Sequence, residues 1–228
     1  MKSTPPATVA AICWAAVAPL FLTANVAVGL AWTDPAFSWA TNNISDLGNV
    51  TCGGWDTTRP RYVCSPWHDA MNLAFLLTSA LLIAGLLFTW RHWGDGPAVR
   101  WGRRLLLSGA IGLGLAGAFP ADVDENVHLL AAVLVFFGGN LGLIAAGCVR
   151  DGTLMAPLRR VTLALGVLGI VGSALFLAQQ GPVVGIGGME RVAVFPLPVW
   201  ACYAAFRLSS TSRGRRAADG ASLDGQLT

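Results

Sequence analysis

The sequence predicts an all-α, polytopic membrane helix bundle of about six transmembrane helices, with both termini in the cytoplasm. Three observations predict it. The chain is 54% hydrophobic and only 12% charged, against roughly a quarter charged for a soluble domain. Its apolar residues gather into six runs, most of them close to the ~20 residues a helix needs to cross hydrocarbon. Its cations fall in alternate gaps between those runs, while most carboxylates and two of the three histidines, His68 and His128, fall in the others.

The runs are Ala7–Trp32, His68–Trp90, Arg103–Phe119, Val127–Val149, Val161–Gln179 and Val192–Phe206. The first follows a single Lys and exceeds the ~7–15 apolar residues of a signal peptide, which predicts an uncleaved first helix. The last is short and carries Pro196 and Pro198, so a tilt or kink is expected there. Small residues at four-residue spacing, Ala110/Gly114/Ala118 and Gly138/Gly142/Ala146, predict closely packed helices.

Of the 15 Lys and Arg residues, only Arg59, Arg61 and Arg191 lie in the carboxylate-bearing gaps. The other twelve, Lys2 to Arg216, mark the cytoplasmic side by the positive-inside rule. Trp32, Trp39, Trp55 and Trp67 then flank the outer interface, and Trp14, Trp90, Trp93 and Trp101 the inner one, in the manner of aromatic belts. The net charge of +3 therefore reflects contact with anionic lipid rather than nucleic acid. The expected partners are the bilayer and an apolar small molecule, and the expected location is the cell membrane. Residues 1–207 form one transmembrane domain in this reading. Residues 208–228, rich in Ser, Gly and Arg without periodicity, form a disordered cytoplasmic tail.

Polar residues that can carry chemistry concentrate in the outer connections. The long segment Thr33–Trp67 holds Asn42, Asn43, Ser45, Asp46 and Asn49. Local turn chemistry accounts for such residue types, and so does an acid, a base or a cation ligand at Asp46. Cys52 and Cys64 lie in the same segment; an oxidising compartment favours a disulfide between them, and two unrelated thiols fit the spacing equally. His68 and Asn72 are one turn apart at the start of the second helix. The string Asp122-Val123-Asp124-Glu125 precedes His128 by one turn. Crowded carboxylates raise one another's pKa and can hold a proton for general acid catalysis; capping of the fourth helix accounts for one or two of them. Asn25 and Asn140 are single amides in apolar helices, suited to interhelical hydrogen bonds or a cavity wall. Glu190 and Arg191 pair with each other or place one charge over the site.

The stretch Asn43-Ile44-Ser45-Asp46-Leu47-Gly48-Asn49 after a first helix, His68–Asn72 opening the second, and Gly117, Phe119 and Pro120 followed by His128 resemble the bacterial and archaeal family called domain of unknown function 998. The resemblance covers roughly residues 10–205. It implies a six-helix membrane protein in which Asp46 and His128 matter, and it supplies no activity. A weaker similarity runs to Frag1/DRAM-type membrane proteins, which carry an Ile-Ser-Asp-type string after their first helix.

The residues fit three functions. The first is a membrane enzyme acting on an isoprenoid or lipid by acid–base chemistry at the outer face, including proton-initiated terpene cyclisation. Its catalytic groups come from Asp46, His68, Asp122, Asp124, Glu125 and His128, and its substrate-binding groups from Asn25, Asn72, Asn140, Glu190 and Arg191. It requires neither cofactor nor metal. The Asp-Val-Asp-Glu string is similar in type to the acid motif of proton-initiated terpene cyclases, which have another fold. The second is a metal-dependent lipid hydrolase, with His68, His128 and one carboxylate as ligands. The third is a small permease or a membrane assembly or sensor protein, since proton-coupled transport also uses membrane His and carboxylates.

Overall fold

The computed structural model describes residues 5–149, 153 and 155–209. Helix α1 runs from Pro5 to Ala31. A long connection follows, with a 3-10 turn over Ser45–Gly48 and a small antiparallel hairpin of β1 (Gly53–Trp55) and β2 (Arg61–Val63), Gly54 opposite Tyr62. Helix α2, His68–Thr89, runs on through a 3-10 turn over Trp90–Trp93. Helix α3 is Pro97–Ala118. Helices α4 (Glu125–Val133) and α5 (Asn140–Gly147) form one span, joined by a π-helical stretch over Leu134–Gly139. Helix α6 is Arg159–Leu177 and α7 is Gly185–Val194. After a turn at Phe195 the chain is helical again over 196–209, called α8.

Among the described residues, five helical stretches are long and apolar enough to cross a membrane: Thr8–Ala31, His68–Trp93, Glu125–Gly147, Ala156–Leu177 and Gly185–Ser209. The chain is a multi-pass membrane protein. Helix α3 has 22 residues, but Arg100, Arg103 and Arg104 occupy its first turns and shorten its apolar part. Arg103 hydrogen-bonds the Trp90 carbonyl and sits 4.8 Å over the Trp90 ring, which holds that end of α3 against α2.

The structure corrects the sequence reading at the last span. It does not begin at Val192. It begins at Gly185 and takes in Glu190 and Arg191, so much of the gap between the fifth and sixth apolar runs is membrane helix. The physical reason is that both charged residues find partners inside the protein, described below. Pro196 and Pro198 fall in the first turn of α8, where a missing N–H is tolerated. The tail expected from residue 208 lies outside the described residues beyond 209.

Neighbouring helices pack in chain order, α1 on α2, α2 on α3, α3 on α5, α5 on α6 and α6 on α7. The ring closes where α1 meets the last span, with Trp14 and Trp200 centroids 5.3 Å apart and Phe21 and Phe195 6.1 Å apart. Without a hydrophobic force between helices in lipid, small residues and van der Waals contact hold such bundles together. Gly142 illustrates this, since a Cβ there would come within 2.6 Å of the Leu106 backbone N of α3. Trp14 and Trp93 do not belong to an interfacial belt. Both are fully buried in an aromatic core with Trp200. The Trp93 and Trp200 indole N–H groups are satisfied there by Thr89 Oγ1 and Thr162 Oγ1, each at 3.0 Å. Trp67 and Trp101 do lie on the surface.

Candidate functional site

The three polar connections meet at one end of the bundle. The Ile44–Gly48 shelf is held there almost residue by residue. Ile44 N donates to Glu190 Oε2 at 2.5 Å. The Asp46 carboxylate accepts from Asn42 Nδ2 at 3.1 Å, Asn43 N at 2.9 Å, and Arg61 Nε and Nη2 at 2.7 and 2.6 Å. Leu47 O accepts from Ser65 Oγ at 2.7 Å, and Gly48 O from Asn72 Nδ2 at 2.8 Å. A Cβ at 48 would lie 2.3 Å from Asn72 Oδ1 and would displace the side chain that holds the Gly48 carbonyl. The Ile-Ser-Asp-Leu-Gly string is thus a shelf gripped by α2, α7 and the hairpin.

The hairpin supplies the grip. Arg61, side chain 9% exposed, binds Asp46 in a two-bond fork and reaches Asp56 Oδ2 at 3.0 Å. Arg59 donates to Thr41 O at 2.6 Å and Asn43 Oδ1 at 2.5 Å. A disulfide between Cys52 and Cys64 closes the hairpin at its base. Burial pushes the Asp56 carboxyl up, but the Arg59 and Thr58 N–H groups and the Arg61 guanidinium outweigh it and hold its pKa below the ordinary value of 3.8. Burial pulls the Arg61 guanidinium down, and its bonds to Asp46 and Asp56 outweigh that and raise it. Arg59 is lowered by burial and by the repulsion of Arg61.

Helix α7 grips the shelf from the other side. Gly187 N donates to Ala40 O at 2.9 Å, and a Cβ at 187 would collide with Asn42 O at 2.2 Å. Arg191 Nη1 donates to the carbonyls of Trp39, Asn42 and Gly187, while its plane lies 5.4 Å from the Phe37 ring and 5.1 Å from that of Trp39. Glu190 and Arg191 therefore serve different neighbours: Glu190 goes to Ile44 N and Arg191 to the loop carbonyls.

Beneath the shelf lies a small, half-open cavity. Its polar end is formed by Glu190, His128 and Ser45. Its walls are Ile44, Phe75, Leu113, Ala116, Ala132, Val135, Phe136 and Val194. Two of these, Val135 and Phe136, come from the π-helical stretch, a local widening that recurs at functional sites. His128 Nδ1 is 2.9 Å from Phe119 O. A carbonyl only accepts, so Nδ1 carries the proton facing it, and Nε2 holds the lone pair of the neutral ring. The pair can therefore offer one carboxyl and one imidazole base to an apolar guest.

The other residues singled out in the sequence lie elsewhere. Asp122 accepts from Val50 N at 3.2 Å and from Thr51 N and Oγ1, each at 2.7 Å, tying the long connection to the α3–α4 turn. Asp124 caps α4, accepting from Val127 N at 3.1 Å. Glu125 is exposed in the first turn. His68 Nδ1 lies 3.0 Å from Ser65 O, and Nε2 is 3.5 Å from the exposed Asp69. Asn72 holds the shelf rather than facing the cavity. Asn25 donates to Phe21 O within its own helix. Asn140 donates to Phe136 O and Ala193 O, each at 2.9 Å, stitching α5 to α7. Among the described residues, no group of three or more His, Cys, Asp or Glu is placed to hold a metal ion.

Sequence reasoning missed Arg59 and Arg61 as the partners of the shelf, and Phe75, Val135 and Phe136 as cavity walls. The arginines carried a signal, since cations isolated among outer carboxylates need partners. The cavity walls carried none, because Phe and Val in a membrane helix look the same facing lipid or cavity.

These features define a multi-pass membrane bundle whose looped end roofs an apolar cavity with a carboxyl and an imidazole at its polar end. The chain belongs to the family described as protein of unknown function (DUF998), whose model matches residues 15–207. No curated protein and no solved structure matches it.

Proposed function

We propose that this protein is a cell-membrane enzyme that acts on an apolar isoprenoid or lipid by acid–base chemistry, with Glu190 and His128 as its acid and base. In this reading the looped end faces outward and both termini are cytoplasmic, in keeping with the bias of twelve cations against three between alternate gaps of the sequence. The observation that carries the reading is that Glu190 and His128 border one cavity whose remaining walls are almost wholly apolar. Ionisable groups at membrane depth face a pathway or a site as a rule.

The inventory suits proton-initiated isomerisation or cyclisation. Glu190 gives its proton to a double bond or to an epoxide oxygen. The cation formed develops beside the faces of Phe75 and Phe136, which attract positive charge. In cyclisation a second double bond supplies the electron pair for the new carbon–carbon bond. His128 Nε2 then removes a proton from the neighbouring carbon. One proton is given and one is taken up, so the product has the formula of the substrate. The Asp122–Glu125 string, engaged in loop tying and capping, has no part in this step.

The test is to supply reconstituted protein with neutral lipid and isoprenoid fractions and compare products by mass. A new product of unchanged mass is expected, and His128→Asn should slow its formation by about 10²–10⁴-fold. Two fragments whose masses sum to the substrate plus one water, or an opened epoxide heavier by one water, would indicate the hydrolase reading. Solute flux without any new product would indicate a permease. Either result would overturn the proposal.

A further inference from the structure

The same cavity also bears on the charge of its guest. Its polar end consists of a carboxyl, an imidazole and the Ser45 hydroxyl, and no Lys or Arg is among its lining residues. Arg191, next in the chain to Glu190, is not among them; its Nη1 donates to three carbonyls and its guanidinium lies over the Phe37 and Trp39 rings. Arg59 and Arg61 lie on the far side of the shelf, engaged with Thr41, Asn43, Asp46 and Asp56. A phosphate or diphosphate drawn into this space would lose its hydration with no Lys or Arg among the described lining residues to replace it, and would sit beside a carboxyl. An uncharged oxygen meets no such penalty. A hydroxyl can donate to His128 Nε2 and accept from Ser45 or Glu190; an epoxide oxygen can accept from the same groups.

We infer that the guest is a neutral-headed amphiphile, an alcohol or epoxide with an apolar chain, and that its phosphorylated counterpart is excluded. This rests on the proposed reading of the Glu190–His128 cavity and narrows its substrate class. The remaining lining is apolar, with the rings of Phe75 and Phe136 and the small side chains of Ala116 and Ala132 among its walls. The accessible rim is at His128, whose neighbours Leu129 and Leu130 are 62% and 53% exposed and face lipid, so the tail of a longer chain can remain in the bilayer. A metabolic consequence follows for the chemistry upstream. The reaction that supplies this substrate must either remove a phosphate from a prenyl chain or install an oxygen on a hydrocarbon one.

The test is binding, independent of turnover. A ten-carbon prenyl alcohol with a photoreactive group at its far end is incorporated with the full chain in nanodiscs of zwitterionic lipid, and the labelled peptides are mapped. Labelling is expected on α2 and on Glu125–Gly147, and unlabelled prenyl alcohol should compete for it. The corresponding monophosphate and the parent hydrocarbon should each compete at least about tenfold less well, a difference of ~1.4 kcal/mol. Ala132→Leu, eluting as folded protein, should lose the labelling. A monophosphate that competes as well as the alcohol, or labelling that the alcohol does not displace, overturns the inference. Labelling in the expected order with no turnover of any alcohol or epoxide supports the inference and overturns the enzymatic reading. Turnover of a phosphorylated chain does the reverse.

Discussion

Two buried carboxylates at the looped end stand in opposite states. Asp46 is 0% exposed and Glu190 6%. Asp46 accepts from Asn42, Asn43 and both nitrogens of the Arg61 fork. Its acceptor capacity is spent on holding the shelf. Glu190 accepts from Ile44 N and borders an apolar cavity. A saturated carboxylate has little left to offer a substrate, whereas one anchored by a single backbone N–H is positioned yet available. The two are joined by Ile44-Ser45-Asp46, so the structural acid sets the height of the roof under which the other acts.

The largest effect that tests this contrast is on stability. Asp46→Ala removes the two-bond partner of the buried Arg61 side chain and leaves that guanidinium only the partly exposed Asp56. Breaking such a pair costs about 3–5 kcal/mol, so thermal unfolding in nanodiscs should drop steeply. A variant that melts within about 1 kcal/mol of wild type would show that the shelf does not depend on Asp46. A smaller effect is expected at Asp124. Replacing an N-cap by Ala costs about 1 kcal/mol, so Asp124→Ala should lower the melting temperature modestly and leave turnover unchanged. Lost turnover in a folded Asp124→Ala protein would return the acid role to the Asp-Val-Asp-Glu string.

The smallest effect is a pH dependence in the hairpin. The Arg59 N–H and Arg61 guanidinium depress the Asp56 pKa against the opposing effect of burial. A depressed carboxylate pKa contributes stability that is present above the unfolded value and lost as pH falls through the lower folded value. The hairpin should therefore hold at neutral pH and loosen only below the ordinary 3.8, with Asp56→Asn abolishing that step. Hydrogen exchange at β1 and β2 would read it. Loosening already at pH 6 would assign the clasp to another group. The pair is partly exposed, so the contribution is screened and small.

Hydropathy and charge alternation made the bundle legible in the sequence because lipid imposes one length and one polarity on every span. They failed at Gly185–Arg191, since two adjacent charges and four glycines in the segment from Gly181 lower hydropathy wherever they stand. Only the loop carbonyls that receive Arg191 and the backbone N–H that meets Glu190 make burial feasible, and those partners lie about 150 residues away in the chain. The Asp122–Glu125 string attracted notice by its density, yet each of Asp122 and Asp124 has a local or loop-tying use that composition does not reveal. His128 was visible as a histidine one turn inside an apolar helix. Its cavity was not, because the π-helical stretch that brings Val135 and Phe136 to the wall has no sequence signature of its own.

The most direct measurement of the central claim sets two glutamates side by side. Glu190→Gln and Glu125→Gln, each folded and reconstituted, are assayed for conversion of the same neutral isoprenoid fraction. Glu190→Gln should reduce turnover by about 10²-fold or more, while Glu125→Gln, at an exposed position, should stay within about twofold of wild type. Wild-type turnover in Glu190→Gln together with a collapse in Glu125→Gln would contradict the assignment of the cavity carboxyl as the acid.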